Sequence, residues 1–593
     1  MPAILAPIHA PLELPTARGG WKQRVEADRI RSRSPSGPFK GRAAERHLLS
    51  WAKGIQSAPE LHGHCQALVE DGSENPGIVR LANCGAYAST NNVQFNISKL
   101  LETCGLPQMV TSVEGDGCIT HTIKPSTVFS LVHKLNPASF KRQFGCDRIQ
   151  LRKCWTSFLG TDVGKYIQHR NPALRNTNVA DLETISPVLM HEDAGPFTKT
   201  KSVACVSWAA LCAIGSDFET RIVSSIHITS KGTDHSGLQS GWDVFLQDLD
   251  LLATCVDSSG KPFVEDADGN RWGLVDVFGG SDCEQFVAWG LISYNSAAEI
   301  CGFCLANRTD LPWTNNLPDS EWRPTENMSD VCFENRISSN HPLAHSRHFH
   351  KHFVRADVMH IMDHNGVAGI IIASILMRFI KYEHRLGSNQ ETRLDALNVE
   401  IEVFWSTHLC SNPLRNRKRS NLTPNGMSQW AELHGPLVKA ASTRHFCPCL
   451  EVITRKWADS GSLEDRCTIK LVSSLNRFYH VWYSADMFMT PAEQADFEVA
   501  CLSIGKQLQC LRELSRQRGD MFFHVTPKCH FMQHLPFQAR CINPRFVQCY
   551  CAESLIGRIT KICKSCAEGP YKGTLQRSAL IKYLVVLCSV FKL

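Results

Sequence analysis

Net charge, long apolar runs and a leader-like opening are all scarce in this 593-residue chain. Lys and Arg total 63 against 57 Asp and Glu, an excess too small over this length to name a partner. The longest apolar run, Val367 to Met377, has 11 residues, whereas a bilayer span needs about 20, so no membrane crossing is expected. Met1 to Pro15 holds four prolines and no sustained apolar stretch, which predicts no secretory signal. No repeat recurs at periods of about 20 to 50 residues, so a solenoid or propeller is excluded. What remains is a globular composition, 43% hydrophobic and 20% charged, with 26 Cys and 25 His. In a reducing compartment such cysteines serve as thiols or metal ligands rather than bridges.

The positive charge is concentrated near the start. Between Arg18 and Arg46 nine Lys/Arg face three acids, so residues 1–47 read as a basic, flexible arm suited to phosphate contacts or nuclear import. Residues 48–180 have a mixed texture, with helical patterns near 44–53 and 92–104. From Ile185 the pattern becomes β-branched: 186–190, 202–208 and 221–228 read as a three-strand meander, followed by a helix at 242–255 and a fourth strand at 272–278. After about residue 366 the chain is mainly helical, with apolar spacing of three and four over 367–381, 391–409, 426–441, 463–484 and 491–517. Arg415, Arg417, Lys418 and Arg419 form a short basic loop there, and a last helix is predicted over 552–565.

The order strand, strand, strand, helix, strand places acids at the ends of the first and fourth strands. In a ribonuclease H-like sheet those strands are neighbours, so Asp193 and Asp282 would converge. Glu553, on a later helix, is the candidate third acid. Three carboxylates can hold two Mg²⁺ (or Mn²⁺) ions, which take hard oxygen ligands and leave positions for phosphate. Arg558 and Lys561 follow Glu553 at helical spacing, where they can track a DNA backbone. Glu192, Asp276, Asp243, Asp248 and Asp250 are alternative acids nearby.

His191-Glu192-Asp193, Gly280-Ser281-Asp282, Cys301-Gly302-Phe303-Cys304, Asp357-Val358-Met359-His360 and Pro527-Lys528-Cys529-His530 through Leu535, with Glu553, occur in an order that resembles cut-and-paste DNA transposases of the CACTA (En/Spm-like) group. The resemblance spans about residues 185 to 593. It implies an RNase H-like core, a catalytic acid triad of the DDE type and a long helical insertion between the second and third acids.

Cys301 and Cys304 can chelate one Zn²⁺, but a closed tetrahedral site needs two more donors. The resemblance makes His360 the third, with His364 or His350 as the fourth. His530 and His534 are four apart and could face one metal on a helix, but the resemblance makes them part of a packing and substrate-facing motif. Cys447 and Cys449 have poor spacing for joint chelation, Cys563 and Cys566 have no evident partner pair, and Cys549 and Cys551 are read as packing thiols.

The expected architecture is therefore α/β plus all-α: an arm (1–47), a mixed region that could bind DNA (48–180), the first part of the core (181–300), a Cys/His-rich zinc segment (301–365), a helical insertion (366–520) and the last part of the core (521–593). The expected function is metal-dependent DNA cleavage and strand transfer in the nucleus, on transposon ends and target DNA, by a chain able to form a homodimer. The alternative is a catalytically inactive, transposon-derived DNA- or chromatin-binding zinc protein.

Overall fold

The computed structural model describes residues 42–591, apart from 72, 74–75, 84–108, 116–117, 200, 216, 231–235, 282, 292–298, 338–340, 409–439 and 567–571. The basic arm, the 92–104 helix, almost all of the 426–441 helix, Asp282 and the Arg415–Arg419 loop therefore lie outside the described residues.

The centre is one mixed sheet. Its strands are β1 (Val110–Gly115), β2 (Cys118–Ile123), β3 (Ile185–Pro196), β4 (Lys201–Ala210), β5 (Arg221–Ser230), β6 (Val264–Glu265), β7 (Arg271–Gly280) and β8 (Val354–Arg355). They lie in the order β1-β2-β5-β4-β3-β7-β6, with β8 also pairing with β7. The meander β3-β4-β5 is antiparallel, while β3 and β7 run parallel, with His191 opposite Gly280. β3 is buried along nearly its whole length, as expected of a central strand covered on both faces.

Eleven helices matter for the site: α1 (Arg42–Ala52), α2 (Arg148–Gly160), α3 (Ser236–Ala253), α4 (Val367–Tyr382), α5 (Gln390–His408), α6 (Ala440–Trp457), α7 (Leu463–Ser484), α8 (Pro491–Gln517), α9 (Pro527–Met532), α10 (Tyr550–Lys564) and α11 (Lys572–Phe591). Successive side chains of a strand point to opposite faces, and β3 uses both. Glu192 accepts a hydrogen bond from Trp242 of α3, whereas His191 meets Cys549 at the start of α10. Thus α3 covers one face of the sheet and α10 the other. At Gly195 a Cβ would come within 2.9 Å of Thr560 Oγ1, so the missing side chain lets α10 cross close over the end of β3.

The helices α4 to α9 bury a second apolar cluster around Ile371, Leu376, Leu475, Phe478, Trp482, Ile504 and Leu508. Their boundaries have local causes. Ser462 caps α7 by accepting from Asp465 N, and Thr490 forms a capping box with Glu493 ahead of Pro491 in α8, arrangements that satisfy helix-start N–H groups. Met359–Tyr382 is long and apolar enough to span a bilayer by composition, yet 72% of its most apolar window is buried inside the fold.

The four expected strands and the helix between them are present, with α3 starting earlier than the periodicity indicates. One feature differs from expectation. The mixed region contributes a β1-β2 hairpin that extends the sheet beside β5; its sequence signal is Asp116-Gly117 between alternating segments. Pro536 occupies the first turn of the short helix Leu535–Ala539, where its missing N–H costs nothing.

Candidate functional site

Asp193 and Glu553 stand on elements that pack together, β3 and α10. Asp193 is near the end of β3 and 5% exposed; Glu553 lies in the first turn of α10 with its side chain 37% exposed. At the start of α10 the Cys549 thiol is buried. Burial, then the negative charges of Asp357, Asp193 and Glu553, push that thiol well above its ordinary range. The third acid of the sequence reading, Asp282, is outside the described residues, but Ser281 before it is not. The Ser281 hydroxyl donates to the carbonyl oxygen of Glu192, the residue before Asp193.

Cys549 Sγ stands 3.1 Å from His191 Nε2, a spacing that could suggest a thiol nucleophile. The electrostatics oppose this. Burial, Arg221 and His360 hold the His191 imidazole well below its ordinary value, so a neutral ring faces a protonated thiol, whereas a nucleophilic pair needs the thiolate.

Glu192, adjacent to Asp193, has a different environment. Its carboxylate accepts from Trp242 Nε1 at 3.1 Å and Trp289 Nε1 at 3.2 Å and pairs with His341 Nε2 at 2.9 Å. Burial would raise it, but the charge and hydrogen bond of His341 and the Trp289 N–H hold it low. It is therefore a buried anchor between β3 and the layer around α3.

A second constellation lies beside the helical cluster. Cys301, Cys304, His530 and His534 are buried, and their donor atoms all lie within 4.8 Å of one another. Cys301 Sγ is 3.3 Å from His534 Nε2, Cys304 Sγ is 3.3 Å from His530 Nε2, and the two Nε2 atoms are 3.1 Å apart. A tetrahedral ion with metal–sulfur bonds of about 2.3 Å and metal–nitrogen bonds of about 2.0 Å would space such donors by about 3.3–3.8 Å. The four residues can therefore hold a metal ion.

The surroundings suit that role. Phe303 N donates to Cys301 Sγ at 3.3 Å and Ala306 N to Cys304 Sγ at 3.4 Å, bonds that stabilise negative sulfur. His534 Nδ1 donates to Glu326 Oε1 at 3.0 Å, leaving Nε2 toward the cluster as a carboxylate does for metal-bound histidines. Burial alone would lower His534, but Cys301 and Glu326 bring it up to about 9. Gly302 is needed at the turn because a Cβ there would lie 2.5 Å from Leu291 O.

The sequence reading drew the histidine donors from His360 and His364, and this is corrected. The imidazoles that meet Cys301 and Cys304 are His530 and His534, four residues apart and so on one side of a helical turn. His360 is engaged instead by Asp357, through Nδ1 at 2.5 Å, and by Glu553, through Nε2 at 3.2 Å. His364 is exposed and packs edge-on against His360. The other candidate, His350, is buried against Tyr166 and Phe353.

Arg558 and Lys561 are exposed on α10, on the helix that carries Glu553. Among the alternative acids, Asp276 and Asp250 bind His348 at 2.8 and 3.1 Å, and Asp248 is held by Ser126.

No model of a known protein family matches this chain, and neither does any curated protein.

Proposed function

We propose that the protein is a nuclear, transposase-like DNA-processing enzyme whose Asp193, Asp282 and Glu553 carry metal-dependent phosphodiester cleavage and strand transfer in an RNase H-like core. The supporting observation is the packing of β3 against α10. His191, two residues before Asp193, contacts Cys549 at the start of the helix that carries Glu553, and the Ser281 hydroxyl ties the residue before Asp282 to the residue before Asp193.

The donors fit a hard divalent cation: they are carboxylates, and Glu553 remains open to solvent. When bound, Mg²⁺ or Mn²⁺ supplies activation of water or a 3′-hydroxyl and charge stabilisation at the leaving oxygen. Asp193 would hold its carboxylate rigidly on the central strand, while Glu553 would offer an oxygen from the helix above it. Arg558 and Lys561, one and two turns farther along α10, would take backbone phosphates and orient the duplex. The Cys301/Cys304/His530/His534 cluster would hold a structural Zn²⁺, since all four positions of a tetrahedral ion are filled by protein. It would pin the Cys/His-rich segment to α9.

A second reading, a catalytically inactive DNA-binding zinc protein, is favoured by the engagement of Glu553 with His360. Nicking of supercoiled plasmid in Mg²⁺ or Mn²⁺ separates the two. The enzyme reading expects nicked product from the wild type and none from Asp282→Asn. DNA binding without nicking would support the binding protein, and equal nicking by both forms would reject the catalytic assignment.

A further inference from the structure

The chain widens into a five-residue π-helical turn at Met359–Asp363. Such turns are rare and concentrate at functional sites. Asp357 anchors this one: its carboxylate is 2% exposed and accepts from Met359 N at 3.2 Å, His360 N at 3.1 Å and Cys549 N at 2.9 Å. The last of these bonds ties the turn to the residue that begins α10. With Nδ1 of His360 also donating to Asp357 at 2.5 Å, the imidazole has one fixed plane, and its Nε2 lies 3.2 Å from Glu553 Oε1, within reach of an N–H donated to that oxygen. On the far side of the turn the buried Asp363 accepts from Tyr550 of α10 at 2.5 Å and from Tyr479 of α7. The turn is therefore clamped to the first turn of α10 on both sides of His360.

We propose that His360 is a positioning residue for Glu553. Asp357 orients the imidazole, the imidazole holds Oε1, and the carboxylate is left in one rotamer with Oε2 available to a divalent cation. A glutamate side chain free in water loses rotamer entropy when it takes up an ion; one already held by a buried, doubly anchored imidazole loses less. Outer partners of this kind are worth about 10- to 100-fold in metal affinity. The inference rests on the reading of Glu553 as a metal ligand.

The test is Mn²⁺ binding by the full chain, followed by the electron paramagnetic resonance signal of free Mn²⁺, with thermal melting of each variant alongside. Glu553→Gln checks the underlying reading, and His360→Gln and His360→Asn check the inference. Glutamine places an amide N–H near the position of Nε2, and asparagine places it near Nδ1. The expected result is loss of Mn²⁺ binding in E553Q, weakening by about 10- to 100-fold in H360N, and recovery of most of that loss in H360Q. Unchanged binding in E553Q would overturn the reading of Glu553 itself. Loss in E553Q with equal affinity in H360Q and H360N, whether like the wild type or equally reduced, would overturn the positioning role while leaving Glu553 as a ligand.

Discussion

The hydroxyl of Ser281 is hydrogen-bonded to the carbonyl oxygen of Glu192, which joins the end of β7 to β3 one residue before each of two aspartates 89 positions apart in sequence. Parallel neighbours in a sheet cannot be linked by a short hairpin, so this convergence depends on the whole excursion through β4, β5 and α3.

Adjacent acids on β3 are expected to behave differently. Glu192 has three buried donors around it, so Glu192→Ala leaves His341 and two indole N–H groups without their partner and should destabilise the fold by about 3–5 kcal/mol. Asp193→Asn should change stability little and remove metal-dependent activity. Urea unfolding of the two variants, read against nicking, checks the division.

The Cys/His cluster predicts one tightly held zinc per chain, measured by elemental analysis of protein purified without added metal. Cys301→Ser and His534→Ala should each lower that content and the melting temperature together. The same outcome is not expected of His364→Ala, because His364 is exposed and remote in role from the cluster.

His348 predicts a stability change at alkaline pH. Burial lowers it, but Asp276 and Asp250 more than compensate and raise it to about 10. A group whose folded value is raised contributes its full stabilisation below its unfolded value of about 6.5 and loses it as pH rises through the folded value. Wild-type stability should therefore fall between about pH 7 and pH 10 by more than that of His348→Gln, measured by denaturant unfolding at each pH.

DNA affinity should depend steeply on salt if α10 tracks a phosphate backbone. Neutralising Arg558 and Lys561 together, each to Gln, should weaken binding to any duplex and reduce the log–log salt slope by about 2. Fluorescence anisotropy between low and moderate salt reads both effects.

Much of the sheet was legible because β3, β4, β5 and β7 are dense in β-branched and apolar residues between turn signals. The adjacency of β3 and β7 was legible only through the order of the elements, since no local pattern encodes which strands pair. The β1-β2 hairpin was missed although Asp116-Gly117 marks it, because its strands are short and half polar. The metal cluster was half legible. Cys301-x-x-Cys304 is a local chelating pair, but its partners lie 226 and 230 residues away in sequence, a distance over which spacing carries no information. The resemblance pointed to His360 as a ligand, and tertiary structure gave His360 to Glu553 instead.

Binding of a divalent cation between β3 and the start of α10 is read out by iron-directed backbone cleavage. Fe²⁺ substituted for Mg²⁺, with ascorbate and peroxide, generates hydroxyl radicals that cut the polypeptide beside the ion, and mass spectrometry locates the cuts. Cuts are expected near residues 193, 282 and 553, all suppressed by excess Mg²⁺ and absent in Glu553→Gln. Cuts confined to other segments, or cuts at these three that persist in Glu553→Gln, would contradict it.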